Sequence, residues 1–336
     1  MTPLSCTEGM QGEPLPRQFT QVTIIRKCFA APGLVCIAIS IASAPASAGC
    51  TLRLMAQFPV TLIASQAPVV ARIDGVAAPV LLDTGARFNL LSYDAAARLH
   101  LRWHVSRGQV SGVGGVGDTL LAVAAANVGL GIAHVTGAEF IIASLPRGAA
   151  AGFIGRNILD RYDIDYDLPV RVIKLFQPGG CEGVPLAYWA RSRQYSMAQV
   201  DPGDAQTVIG YVNGIEMRIL FDTAASTTIL DTAAASRAGV TPQSPGAMQG
   251  GVIHGAAGRP VKTWLVPVRS VRIVNEEIHG SLIRIGTLAL PNVEMVLGTD
   301  FFLSHHVYLA NGQRRIYFTY EGGPVFAGNA PPRNGR

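Results

Sequence analysis

Apolar residues in this chain fall in short runs, broken by glycine, proline and small polar residues. Helix-period stretches are short, and the visible alternation has the two-residue period of strands, as in Val172-Ile173-Lys174-Leu175-Phe176 and Arg315-Ile316-Tyr317-Phe318. Ile73-Asp74-Gly75 and Val212-Asn213-Gly214 put an Asp/Asn-Gly pair between apolar runs, which predicts tight hairpins. Two short Ala-rich helices are predicted, over residues 93–99 and 232–238. Ser92 and Asp231 are their N-caps, and Gly239 stops the second. The pattern is that of an all-β protein.

The pattern also repeats. A shift of 139 residues aligns positions 71–101 with 210–240 without a gap, and nine of the 31 aligned positions are identical. In each half an apolar run ends on a carboxylate: Val80-Leu81-Leu82 leads into Asp83-Thr84-Gly85-Ala86, and Ile219-Leu220-Phe221 into Asp222-Thr223-Ala224-Ala225. A Gly-rich segment follows each at matched distance. These are Gly112-Val113-Gly114-Gly115-Val116-Gly117 and Gly250-Gly251-Val252-Ile253-His254-Gly255, expected to be hairpin tips. Each half then closes on an apolar pair plus glycine, Phe153-Ile154-Gly155 and Val296-Leu297-Gly298. The expected organisation is a first lobe over 49–177, a linker over 178–194, a second lobe over 195–325 and a disordered tail over 326–336.

A carboxylate at the end of a buried strand needs a partner or a function. Two of them in two copies of one unit can meet across a pseudo-twofold axis. Carboxyls about 3 Å apart share one proton. The ionised one can take a proton from water while the other donates to a carbonyl oxygen. Thr84 and Thr223 are placed to brace such a pair. Gly85 permits a tight turn and close backbone approach, and Ala224 replaces it in the second half. The Gly-rich tips, with Gly112, Val113, Gly114 and Gly115 in one and Gly251, Val252 and Ile253 in the other, can close over an extended peptide.

These motifs together resemble a tandem of retropepsin-like aspartic protease domains, of the pepsin and retropepsin superfamily. Phe153-Ile154-Gly155-Arg156-Asn157-Ile158-Leu159 is especially similar to the retroviral pattern at that place. The resemblance covers about residues 60–177 and 195–320. It implies a small closed β-barrel per lobe and a cleft between the lobes. It further implies endopeptidase activity without metal or cofactor, with Asp83 and Asp222 as the catalytic pair. Thr228 stands where the family often carries a hydroxyl, and Asn89 holds that place in the first half. Alternatives of the same fold are a catalytically silent peptide-binding protein and a homodimer with separate sites per lobe.

Composition narrows the partners. The chain has 336 residues, 49% of them apolar and 15% charged, with a formal net charge of +5. No Lys/Arg block exists and lysine occurs only at 27, 174 and 262, so nucleic acid is not an expected partner. The seven histidines lack a metal-ligand spacing, and His305-His306 reads as structural or surface. Residues 112–117 match a dinucleotide fingerprint, but in a hairpin-tip position rather than a strand-to-helix turn. Asp160, Asp163, Asp165 and Asp167 alternate as on a strand with one solvated face, and Asp300 reads as a local helix cap.

The N-terminus has the three parts of an export signal: Arg26-Lys27, an apolar stretch over 28–41, and Ala46-Ser47-Ala48 before Gly49. A start downstream of Met1 would give it an ordinary n-region. The chain is therefore expected to be exported, periplasmic or secreted. An uncleaved membrane anchor, or lipidation at Cys50, is the alternative. Cleavage after Ala48 leaves Cys50 and Cys181, and an even count in an exported protein favours one disulfide between them.

Overall fold

The computed structural model describes residues 49–107, 111–113, 115–116, 120–145, 150–190, 194–202, 206–255 and 260–326. The expected signal segment, residues 327–336 of the expected tail, and Gly114 lie outside these, whereas Phe326, expected to open the tail, is buried in the core. In the first half the strands are β1 (Thr51–Pro59), β2 (Val69–Ile73), β3 (Val76–Leu82), β4 (Asn89–Ser92), β5 (Trp103–Arg107), β6 (Ser111–Gly112), β7 (Gly115–Val116), β8 (Leu120–Leu130), β9 (Ala133–Ala143), β10 (Gly152–Ile154), β11 (Asp163–Asp167) and β12 (Val172–Gly179). In the second they are β13 (Ser196–Gln199), β14 (Thr207–Val212), β15 (Ile215–Phe221), β16 (Ile229–Asp231), β17 (Met248–His254), β18 (Pro260–Ile273), β19 (Glu276–Gly286), β20 (Met295–Leu297), β21 (His305–Ala310) and β22 (Arg315–Tyr320).

Each half closes a six-strand barrel. The first runs β2-β3-β10-β4-β9-β8 and returns to β2, with β5 added outside β8. The second repeats this as β14-β15-β20-β16-β19-β18, with β17 added outside β18. Turn chemistry sets the register. Asp74 and Gly75 have φ of 45° and 83°, and Asn213 and Gly214 have 51° and 85°, the left-handed pair that a two-residue hairpin needs. The short helices α1 (Tyr93–Arg98) and α2 (Thr232–Arg237) start where the sequence places them. Ser92 accepts from Ala95 N, and Asp231 accepts from Ala233 N and Ala234 N. Residues 120–130 form a strand, not the helix that a dinucleotide site requires.

The ends of each half leave the barrels and build a third sheet, ordered β1-β12-β11-β21-β22-β13. It is symmetric about its central pair β11–β21, where Ile164 lies opposite Leu309 and Tyr166 opposite Val307. One continuous apolar core includes Ile73, Val80 and Phe140 of the first barrel, Ile219, Phe221 and Ile285 of the second, and Ile164 and Val307 of the shared sheet. The halves are thereby fused through main-chain hydrogen bonds as well as packing.

This sheet overturns the expected solvated face of the acidic strand. Asp163 and Asp165 are buried, because β11 is flanked on both sides and the segment after β12 covers its outer face. Tyr188 and Lys174 donate to Asp165, His306 bonds to it, and Trp189 stacks on His306 at 3.9 Å. His305 is buried too, 2.7 Å from Glu276. The covering segment is tied down by a disulfide between Cys50 and Cys181, whose Cα atoms are 4.4 Å apart.

Candidate active site

Asp83 and Asp222 follow the last residues of β3 and β15. Each of those strands pairs in parallel with a short crossing strand, β10 or β20. The pairing continues one residue further: Asp83 N donates to Ile154 O at 2.8 Å, and Asp222 N to Leu297 O at 3.0 Å. The two Asp backbones are therefore fixed by the sheet. Gly155 and Gly298 then let the crossing strand pass under the loop. A methyl on either would come within 2.5 Å of the Phe88 carbonyl oxygen or the Thr227 carbonyl carbon.

The side chains are set by their own loops. Asp83 Oδ1 accepts from Gly85 N and Ala86 N, both at 2.9 Å. Asp222 Oδ1 accepts from Ala224 N at 2.9 Å and Ala225 N at 3.0 Å. The two loops interlock: a methyl placed on Gly85 would stand 2.5 Å from Asp222 Oδ2 and 2.6 Å from its Cγ. The Asp222 carboxyl thus fills the space over the Gly85 Cα.

Thr84 and Thr223 cross between the loops. Thr84 Oγ1 donates to Phe221 O at 2.6 Å, and Thr223 Oγ1 donates to Leu82 O. In return Thr84 N donates to Thr223 Oγ1 at 3.3 Å, and Thr223 N to Thr84 Oγ1 at 3.2 Å. Each threonine holds the carbonyl just before the opposite aspartate. Tyr166, which sequence reasoning missed, reaches the same point from below. Its hydroxyl donates to Leu82 O at 3.0 Å and lies 3.2 Å from Thr223 Oγ1. Burial raises the phenol's pKa and keeps it a neutral donor.

The apparent departure at Asn89 resolves in geometry. Asn89 Oδ1 accepts from Gly155 N at 3.0 Å, as Thr228 Oγ1 accepts from Gly298 N at 3.1 Å. An amide oxygen and a hydroxyl do one job in the two halves. Asp300 is not merely the local cap expected of it. Besides Phe301 N, it accepts from Thr228 N at 2.8 Å and Thr228 Oγ1 at 2.6 Å, so it braces the loop that carries Asp222 across 72 residues.

Electrostatics follow from this packing. Burial, then the charge of Asp222, hold the Asp83 carboxyl well above the usual range, and the amides of Ala86 and Gly85 offset part of that. Burial also raises Asp222, against the amides of Ala224 and Ala225. Two raised carboxyls in one site retain a proton to higher pH than free ones, and they titrate as a pair.

Two hairpins carry the Gly-rich segments. The first is built on β5 and β8, with β6 and β7 paired at its end and Val113 between them. The second is β17 with β18. Gly251, Val252 and Ile253 lie on β17 rather than at a tip, with Gly251 at a bulge where φ is 77°. The hairpins meet: a methyl on Gly255 would be 2.1 Å from the Val113 carbonyl oxygen. Val113 and Ile253 pack on one apolar cluster that includes Leu220, Ile229, Leu288 and Val296, with Ala225 beside them.

The two stretches with this geometry, residues 69–158 and 208–301, each match the family model for aspartyl protease, and together they span more than half of the chain. The chain belongs to the aspartyl protease family. Both matches begin at the first barrel strand and end just past the crossing glycine, so each aspartyl protease repeat comprises one barrel with its Asp loop and flap. No curated protein matches the chain. Among the described residues, no group of three or more His, Cys, Asp and Glu side chains is placed to hold a metal ion.

Proposed function

We propose that this aspartyl protease family member is an active endopeptidase, with Asp83 and Asp222 serving one site. The observation that carries the reading is the contact of the Asp222 carboxyl with the Gly85 backbone, inside loops cross-braced by Thr84 and Thr223. The pair holds one proton. Its ionised member takes a proton from water as the water oxygen attacks the scissile carbonyl carbon. Its protonated member donates to the carbonyl oxygen, giving a neutral gem-diol. One carboxyl then gives a proton to the amide nitrogen as the other takes one from a diol hydroxyl, so the C–N bond breaks, an acid and an amine leave, and the pair keeps its single proton. The flaps supply main-chain hydrogen bonds to an extended peptide and exclude water.

The silent peptide-binding alternative rests on Ala224. Its loop keeps the same two bonds to Asp222 Oδ1 that Gly85 and Ala86 make to Asp83, at matching lengths. That favours activity. Export is part of the proposal, and the Cys50–Cys181 bridge supports an oxidising compartment. A peptide-library digest across acidic to neutral pH tests the reading. Cleavage by the wild type, lost in both Asp83→Asn and Asp222→Asn, is expected. Turnover surviving either change would refute a shared dyad, and no cleavage at any pH would favour the silent protein.

A further inference from the structure

One contact reaches from the first lobe to the catalytic loop of the second, at the point where the repeats differ. Residues 63–66 form a tight turn: Ile63 N donates to Gln66 O at 2.9 Å, and Gln66 N to Ile63 O at 3.0 Å. Its central residues, Ala64 and Ser65, have φ of 49° and 61°. Such a turn normally takes Asn or Gly at those positions, because a Cβ makes the left-handed conformation costly. Two non-glycine residues held there together mark a local conformation that the surrounding structure enforces. What the turn presents is Gln66, whose Nε2 donates to the Ala224 carbonyl at 2.9 Å across 158 residues.

The first loop has no counterpart: among the described residues, no side chain donates to the Gly85 carbonyl. The asymmetry matches the substitution. Gly85 can have no Cβ, since Asp222 stands 2.5 Å from where it would be. Ala224 is the matching position of the second repeat and carries the methyl that Gly85 lacks. Asp222 nonetheless keeps both bonds to its own loop, from Ala224 N and Ala225 N. The donor on the Ala224 carbonyl comes from the opposite lobe.

We propose that Gln66 is a positioning residue that holds the Ala224 peptide clear of Asp83 and so preserves the dyad. This rests on the shared-dyad reading above. The test is a double-mutant cycle of Gln66→Ala with Ala224→Gly, read by kcat, KM and carbon-NMR titration of the two Asp carboxyls. Gln66→Ala alone should lower kcat about 10- to 100-fold with KM changed far less, the scale of a misplaced reacting group. In the Ala224→Gly background the same change should cost less than about threefold, because no methyl needs holding away. The carboxyl titration should shift on Gln66→Ala in the first background and stay put in the second. Equal effects in both backgrounds, including none in either, would overturn the proposal. If the wild type cleaves nothing, the proposed function fails, yet the titration arm still decides the coupling.

Discussion

The Asp222 carboxyl stands where a side chain on Gly85 would stand, its Oδ2 2.5 Å from that missing methyl. Each aspartate belongs to a separate barrel, so this contact exists only once both repeats are folded and docked. It makes Gly85 a packing requirement as well as a turn residue. The clashing group is a short side chain pinned by Ala224 N and Ala225 N, and it cannot swing aside freely.

Gly85→Ala should therefore abolish most activity. Displacing a reacting carboxyl by about 1 Å costs about 100-fold. Stability should fall by about 1–3 kcal/mol, the usual cost of overpacking a filled site. Turnover of a cleaved library peptide and urea unfolding read the two effects. A fully active Gly85→Ala enzyme would contradict the geometry.

The raised dyad makes stability depend on pH in a definite direction. A carboxyl with a raised folded-state pKa binds its proton more tightly in the native protein than in the unfolded chain. Its ionisation therefore subtracts stability as pH rises from the unfolded value, about 3.9, through the folded one. Asp83→Asn removes that penalty. The variant should lose turnover yet melt higher than wild type at neutral pH, with the difference vanishing near pH 3. Thermal unfolding scanned over pH measures it, and a Tm difference independent of pH would count against a raised Asp83.

Much of this site was legible in the chain, for reasons that differ residue by residue. Asp83 and Asp222 stood out because the same turn, flap and closing glycine recur around both. The hairpins at Asp74-Gly75 and Asn213-Gly214 were legible because only a few residues tolerate left-handed φ. Tyr166 was missed and the acidic alternation misread because burial of β11 comes from β21, a strand more than 130 positions away. Alternation looks the same whether the polar face meets water or a covering segment. Gln66 acts through one side-chain bond over 158 residues and Asp300 through several over 72, and no local pattern announces such a partner.

Tyr166 gives the mildest test of the brace. Tyr166→Phe keeps the ring and its edge contact with Phe302 but removes the donor to Leu82 O. Thr223 Oγ1 still donates to that carbonyl, so no acceptor is stranded. The expected loss is about 1 kcal/mol, the net value of one hydrogen bond. Thr223→Val should cost more, about 1–3 kcal/mol, because it also leaves the buried Thr84 amide without its acceptor. Chemical unfolding of the two variants side by side should rank them in that order, and the reverse ranking would place the brace in Tyr166 instead.

The acid limit of the fold should come from the opposite face of the shared sheet. Asp165 is buried, and burial alone would raise its pKa. The hydrogen bond and charge of His306, followed by Tyr188 and Lys174, bring it below the usual carboxyl range. A lowered folded pKa adds stability above the unfolded value of about 3.9 and loses it as pH falls through the folded one. Its sign is thus opposite to that of the dyad, and the protein should be most stable in the mildly acidic range between the two effects. Asp165→Ala strands Lys174 and His306 against an apolar hole. Breaking a buried pair in this way costs about 3–5 kcal/mol. Asp165→Asn retains an acceptor for Lys174 and Tyr188 and should cost less at neutral pH. As pH falls through the folded pKa of Asp165 it should approach the wild type, whose own Asp165 is then protonated. Unfolding of both variants from pH 3 to 7 measures this. A wild-type acid transition that persists unchanged in Asp165→Asn would assign the acid limit to another group.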